Sequence, residues 1–242
     1  MGQIAYHAKT GAMAEAFSAP DSVWQDICQS PAGTWLMPQT DWPATPKTSI
    51  RGLRFFAHRP GYPDKLPAPE SYAHTRLKIE IALALRRTGY QADLEVSGQT
   101  PNGDAWIADV LARRKDDKLI AFEIQFSSQH LADFRSRTMR YSQSSVSVCW
   151  FMPHKPVANR LGKALCYENQ AYYKEHGVFV ADCEEIIPFW FDIKGKDEYP
   201  DQSPEIHFGR GQYNRRLTID EAVEGMIEGK PYWQYPHWNW RA

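Results

Sequence analysis

The chain has 242 residues, 43% hydrophobic and 24% charged, which fits one large domain or a core with appendages and leaves ample material for a hydrophobic core. No apolar run approaches the ~18 residues of a membrane span and the N-terminus lacks a signal-peptide apolar region, so a cytoplasmic protein without membrane partners is expected. The net charge of −1 gives no overall pull on nucleic acid, so any such chemistry must find its positive charge locally.

Residues 1 to about 50 show little periodicity. Asp21 is placed to cap a short helix over 22–29, and Pro31, Pro38, Pro43 and Pro46 then indicate irregular or short β structure. Residues 50–58 read as a strand, and Pro60, Pro63, Pro67 and Pro69 as a linker that stops at a helix start. That helix is expected over 71–88. Leu77, Ile81, Ala84, Leu85 and Thr88 recur at helical spacing, and Gly89 supplies the stop. Residues 91–97 alternate as a strand, 106–113 form the next and 119–126 a third. A helix over 131–143 and an apolar strand over 146–152 complete an αβββαβ order. Beyond Pro153, helices are expected at 157–165 and near 171–176, and strands at 178–182 and 186–193. Thr218-Ile219-Asp220-Glu221 is a capping box opening a last short helix. The tail from Tyr232 to Trp240 is dense in Trp and Tyr and broken by Pro236. With only Lys230 and Arg241 flanking it, packing on the body or on a partner subunit is expected, against stacking on nucleic-acid bases as the alternative.

Chemistry concentrates between Asp109 and Gln125. In the strand 119–126, Ile120, Phe122, Ile124 and Phe126 point one way and Leu119, Ala121, Glu123 and Gln125 the other. Arg114-Lys115-Asp116-Asp117-Lys118 is polar enough to be a turn. With an odd loop, Asp109 stands directly across from Glu123, with Cβ atoms roughly 5 Å apart, near enough for both carboxylates to reach one hard cation. An even loop without a bulge puts them on opposite faces. A carboxylate facing inward from so apolar a strand needs a partner: Mg²⁺ (or Mn²⁺) is one, and an ion pair with Arg113 or Lys118 is another.

This spacing resembles the PD-(D/E)XK nuclease superfamily in its Asp-x13-Glu-x-Gln form, and the flanking residues resemble the competence protein CoiA-like family. Arg54-Phe55-Phe56-Ala57-His58 is similar to the family's Phe-Ala-His segment, and Glu70-Ser71-x-x-His74-x-x-x-Lys78 to its Glu-Ser-x-x-His-x-x-x-Lys helix. Ala108-Asp109-Val110 and Glu123-Ile124-Gln125-x-Ser127 resemble its catalytic strands, and Arg137-Thr138-x-x-Tyr141 its next helix. The likeness covers about 50–155. Members often carry a Cys-x-x-Cys zinc element ahead of the Phe-Ala-His segment, where this chain has only Cys28, so no zinc site is expected.

The resemblance implies an α/β fold: a restriction-endonuclease-like αβββαβ core with a mixed sheet and N- and C-terminal elaborations. The expected divisions are a zinc-less N-terminal region 1–58, a nuclease core 59–155 and an α/β extension 156–242 with the aromatic tail. It implies Asp109, Glu123 and Glu70 as metal ligands and Asp109, Glu123, Gln125, Lys78 and His74 as the catalytic set. Gln125 stands where lysine is commoner in the superfamily. Its amide can hydrogen-bond the attacking water or a phosphate oxygen, and Lys78 can supply the missing charge; a plain polar edge residue is the alternative. Glu70, His74 and Lys78 form an i, i+4, i+8 stripe, which ordinary exposed ion pairing would also explain. Glu80 is a rival acid, pointing away from that stripe.

Arg137, Tyr141 and Ser127 are expected contacts to DNA, against a buried tyrosine with a capping arginine and a serine that only ends its strand. Local positive charge is available at Arg76, Lys78, Arg86 and Arg87, at Arg113, Arg114 and Lys115, at Arg135, Arg137 and Arg140, and at Lys155, Arg160 and Lys163. The four cysteines lack paired spacing, and Cys149 within an apolar strand reads as core. No phosphate loop, dinucleotide fingerprint or Gly-x-Ser-x-Gly elbow occurs. The expected activity is metal-dependent cleavage of DNA phosphodiester bonds in the processing of incoming or foreign DNA, through recombination, competence or phage defence. Expected partners are DNA, other DNA-processing or defence proteins and a second copy of the chain. The alternative is a catalytically weak DNA-binding or assembly subunit that keeps the nuclease fold.

Overall fold

Short strands broken at turns build the N-terminal part of the chain. In the computed structural model, which describes residues 2–65 and 70–242, the chain divides into units Met1–Ser71 and Tyr72–Ala242. Pro67 and Pro69 of the expected linker lie outside the described residues. In the first unit, β1 (Ile4–His7), β2 (Met13–Glu15) and β3 (Trp35–Leu36) form one antiparallel sheet. Helix α1 (Asp21–Gln29) lies between β2 and β3 in the chain, and β4 (Ala44–Thr48) pairs with β5 (Arg54–His58). Trp24 and Ile27 of α1 are buried with Ala5, Met37 and Phe56, and the Trp24 ring meets Phe56 edge-on. Asp21 does not cap α1; Pro20 holds that position, and Asp21 instead pairs with Arg54.

The strand expected over 50–58 begins only at Arg54. Residues 49–53 make the hairpin turn, with Ser49 N–H donating to Leu53 O at 2.8 Å and Gly52 at φ +77°. That positive φ suits glycine, and Ile50 is left fully exposed.

The second unit is built on one seven-stranded sheet. Helix α2 (Tyr72–Arg87) leads into β6 (Gln91–Gln99), β7 (Ala105–Arg113) and β8 (Leu119–Ile124), followed by α3 (Leu131–Gln143) and β9 (Val146–Pro153). This is a mixed α/β core in αβββαβ order: β6–β7–β8 are antiparallel and β8–β9 parallel. Leu77, Ile81, Ala84 and Leu85 of α2 are wholly buried. Thr88, expected on that same face, lies past the helix end, where its hydroxyl donates to Ala84 O and Leu85 O.

The sheet does not stop where the core was expected to end. After a π-helical turn (His154–Ala158), α4 (Asn159–Glu168) and α5 (Gln170–His176), β10 (Ile187–Phe191) pairs parallel to β9. Next come β11 (Ile206–Phe208) and β12 (Arg215–Leu217), giving the order β12-β11-β10-β9-β8-β7-β6. Strand hydrogen bonding from β9 through β10 and β11 to β12 is continuous, so these later strands belong to the same sheet as the core. Residues 178–182, expected as a strand, join no sheet; Gly177 at φ +70° ends α5, and Val178 and Phe179 stay exposed.

The chain ends in α6 (Ile219–Glu228), opened by the Thr218–Glu221 capping box, and the hairpin β13 (Pro231–Gln234)–β14 (His237–Trp240). The hairpin packs on its own unit. Trp240 contacts Phe189 and Phe208, and Trp238 Nε1 donates to Cys183 O at 2.9 Å. A Cβ on Gly225 would sit 2.1 Å from the Trp240 ring, so the close approach of α6 requires glycine there. Among the described residues, no helix is long and apolar enough to cross a membrane.

Candidate metal centre

Register decides what Asp109 can reach. The β7–β8 loop spans the five residues 114–118, closed by Arg114 N–H to Lys118 O at 2.8 Å, an odd number. The ladder pairs Val110 with Phe122 and Leu111 with Ala121, so one further step sets Asp109 across from Glu123. Both strands lie inside the sheet and β8 is covered on both faces, leaving Glu123 only 1% exposed.

The two carboxylates are nevertheless held by different elements. Asp109 Oδ2 accepts from the Ile124 backbone N–H at 2.9 Å and lies 3.4 Å from His74 Nε2 on α2. His74 Nε2 is 3.0 Å from Ile124 O. A carbonyl only accepts, so Nε2 carries the proton, and in the neutral ring Nδ1 holds the lone pair. His74 and Asp109 thus bring an imidazole and a carboxylate together, while Glu70 precedes α2 by two residues in the chain. Glu123 is not a member of this pair. Its carboxylate accepts from Tyr141 Oη and from an Arg137 guanidinium nitrogen, both on α3. Burial pushes the Glu123 carboxyl up to about 7; the Asp109 charge adds to the rise, and Arg137 and the Tyr141 hydroxyl oppose it. Burial, then the Glu123 charge, raise the Tyr141 phenol.

The remaining expected residues are also placed. Gln125 lies just past β8, its amide NH₂ donating to Ser127 O at 2.6 Å and its Oε1 accepting from Arg137 at 2.9 Å. Lys78 is fully buried, its Nζ 2.8 Å from Glu95 on β6. His74 and Lys78 thus both lie beside carboxylates of the sheet, Asp109 and Glu95. Glu80 lies elsewhere on α2, accepting from Tyr199 Oη at 2.8 Å and Ser203 Oγ at 2.6 Å. Arg137 keeps 28% of its side chain exposed while it pairs with Glu123. Tyr141 is 1% exposed and its hydroxyl also lies within hydrogen-bond reach of Ile107 O; both α3 side chains satisfy the buried carboxylate. Ser127 is exposed and gives its carbonyl to Gln125.

One acidic residue was not anticipated. Glu95 stands in β6 between Leu94, which pairs with Val110, and Val96, which pairs with Ala108, so it lies alongside Asp109. Its φ of +54° breaks the ladder at that step, an unfavourable backbone for a residue with a Cβ. Polar alternation in Leu94-Glu95-Val96 was the available signal; the pairing register was not.

The family model for the competence protein CoiA nuclease-like domain matches residues 70–174. Those residues are similar to that domain. The match covers α2 through most of α5, and so takes in Glu70, His74, Asp109, Glu123 and Gln125. No curated protein and no solved structure matches the chain.

Proposed function

We propose that the segment similar to the CoiA nuclease-like domain is a metal-dependent nuclease that hydrolyses DNA phosphodiester bonds, acting on incoming or foreign DNA in the cytoplasm. The observation that carries this reading is the approach of His74 Nε2 to within 3.4 Å of Asp109 Oδ2, with Glu70, two residues ahead of α2 in the chain, proposed as the second carboxylate. Two carboxylates and one imidazole are a donor set that suits Mg²⁺ and, because of the nitrogen, Mn²⁺. Glu123 is the further carboxylate available to such an ion. A divalent ion held there would polarise a phosphoryl oxygen and make a bound water nucleophilic near neutral pH.

The chain's own groups prepare that set. The Ile124 backbone contacts both partners, its N–H orienting Asp109 and its carbonyl favouring one His74 tautomer, with Nδ1 unprotonated in the neutral ring. Gln125 uses one amide hydrogen on Ser127, and the second serves a water or a phosphate oxygen. Lys78 places a buried positive charge on Glu95, beside Asp109, and limits the accumulation of negative charge around the site.

Incubating the protein with labelled single- and double-stranded DNA and Mn²⁺ tests this. Cleavage is expected with Mn²⁺ and not in chelator, and is lost in Asp109→Ala together with Mn²⁺ binding by calorimetry. A wild-type protein that binds no Mn²⁺ and cuts neither substrate overturns it. One observation favours a second reading, a DNA-binding or assembly subunit with weak catalysis: the Glu123 carboxylate is engaged by Arg137 and Tyr141. A mobility shift without cleavage at any metal concentration would select that reading.

A further inference from the structure

Three arginines lie within six residues on α3, and their partners differ. Arg135 makes two hydrogen bonds to Glu168, at 2.9 and 2.7 Å, and Arg137 is committed to Glu123 and Gln125. Arg140 has no carboxylate partner among the described residues. It donates only to a backbone carbonyl, Ala105 O, at 3.1 Å. That bond fixes the direction of the guanidinium and leaves its charge uncompensated. Arg140 lines a cavity of about 240 Å³ with Ala105, Trp106, Ile107, Arg137 and Tyr141. The volume equals roughly eight waters, enough for a phosphate with part of its sugar.

We propose that this cavity binds a backbone phosphate of a nucleic-acid strand, gripped by Arg140, next to the phosphodiester that the nuclease reading assigns to the metal centre. It rests on that reading for its place along the strand. The charge is right: a planar guanidinium anchored through one nitrogen still presents N–H groups for two-pronged contact with phosphate. The walls are right as well. Ile107 is 45% exposed and offers apolar surface to a sugar face. Position completes the case. Tyr141 forms one wall of the cavity and donates its hydroxyl to Glu123, so the cavity adjoins the carboxylates. Arg140 is therefore a positioning residue: it acts by holding the strand in place and takes no part in bond breaking.

The test is anisotropy of a labelled oligonucleotide in EDTA across about 50 to 200 mM salt. Arg140→Gln should weaken binding about tenfold at the lowest salt and reduce the log–log salt slope by about 0.7–0.9, the share of one phosphate contact. Arg140→Lys should keep the slope. Ile107→Glu, which leaves the Ala105 bond alone, should weaken binding in the same sense. In Mn²⁺, Arg140→Gln should raise KM with kcat retained. Wild-type slope and affinity in Arg140→Gln and Ile107→Glu would overturn the proposal. So would saturable binding of inorganic phosphate that needs Arg140 while the oligonucleotide slope does not change, which would make the cavity a free-phosphate site. The nuclease reading fails separately: loss of slope in Arg140→Gln without any metal-dependent cleavage leaves the strand site standing, and Asp109→Ala should bind the oligonucleotide with the wild-type slope.

Discussion

Asp109 and Glu123 stand on adjacent strands, one ladder step beyond the Val110–Phe122 pair, yet their side-chain partners come from different helices. On the α2 side, Asp109 keeps 18% of its side chain exposed, beside an imidazole and a backbone N–H. On the α3 side, Glu123 is closed off by a guanidinium and a phenol. Burial raises the proton affinity of a carboxylate, and donors that favour the anion lower it; for Glu123 burial wins. On the proposed reading, Asp109 is the carboxylate ready to accept a cation. Glu123 must first lose a proton and then share its anion with donors already in place.

The largest effect that separates the two sides comes from the deepest charge. Lys78 is wholly buried against Glu95, and removing one member of a buried pair leaves the other uncompensated at a cost of about 3–5 kcal/mol. Lys78→Met should therefore lower thermal stability sharply, as read by calorimetry, before any question of turnover arises. Lys78→Met/Glu95→Leu should recover much of it. A single variant that melts like wild type would mean the pair is not held as described.

Titration offers a second separation. The folded Glu123 carboxyl titrates at about 7, against 4.5 for an unperturbed glutamic acid. Between those values the folded state holds the extra proton, so its contribution to stability is complete below about pH 4.5 and is lost as pH rises through 7. A shift of that size corresponds to at most about 3 kcal/mol. Chemical denaturation in EDTA should show wild type losing stability from pH 5 to 8 relative to Glu123→Gln, whose amide does not titrate. Parallel curves for the two proteins would refute the raised affinity.

Metal affinity should follow the same division between the two carboxylates. Asp109→Ala is expected to weaken Mn²⁺ binding by about 100-fold or more, beyond the 10–100-fold typical of losing an outer hydrogen-bonding residue, whereas Glu123→Gln should weaken it less. Equal losses in calorimetry would erase the distinction between the two carboxylates.

Much of this arrangement is legible in the residues, for reasons that can be named. Helix α3 falls on 131–143 as expected because its apolar spacing and polar flanks agree. The αβββαβ order follows from strands of six to nine residues, long enough for alternation to register. Strands β11 and β12, at three residues each, are too short for periodicity, so the growth of the sheet past Pro153 was hidden. At the site, the loop parity of 114–118 could be read but the partners of Glu123 could not. Arg137 and Tyr141 are visible as an i, i+4 pair, and nothing local says that the pair turns inward. Glu95 is less legible still, since its place beside Asp109 depends on β6–β7 register and on a backbone conformation that its residue type disfavours.

The smallest expected effect sharpens the comparison most cleanly. The Tyr141 hydroxyl, with its single hydrogen, lies within hydrogen-bond reach of both Glu123 and Ile107 O, and deleting it leaves the ring in the core, where it packs 4.9 Å from Trp106. Tyr141→Phe therefore removes hydrogen bonding with little change in packing, worth about 1–2 kcal/mol. The lost bond had favoured the Glu123 anion, so the carboxyl should move further upward, and the stability loss between pH 5 and 8 in EDTA should shift to higher pH. Asp109 takes a bond from the Ile124 backbone, so Mn²⁺ affinity at pH 8 should fall by no more than a few-fold. If Tyr141→Phe weakens Mn²⁺ as strongly as Asp109→Ala, the α2 and α3 sides act as one unit, and the division between a ready and a guarded carboxylate does not hold.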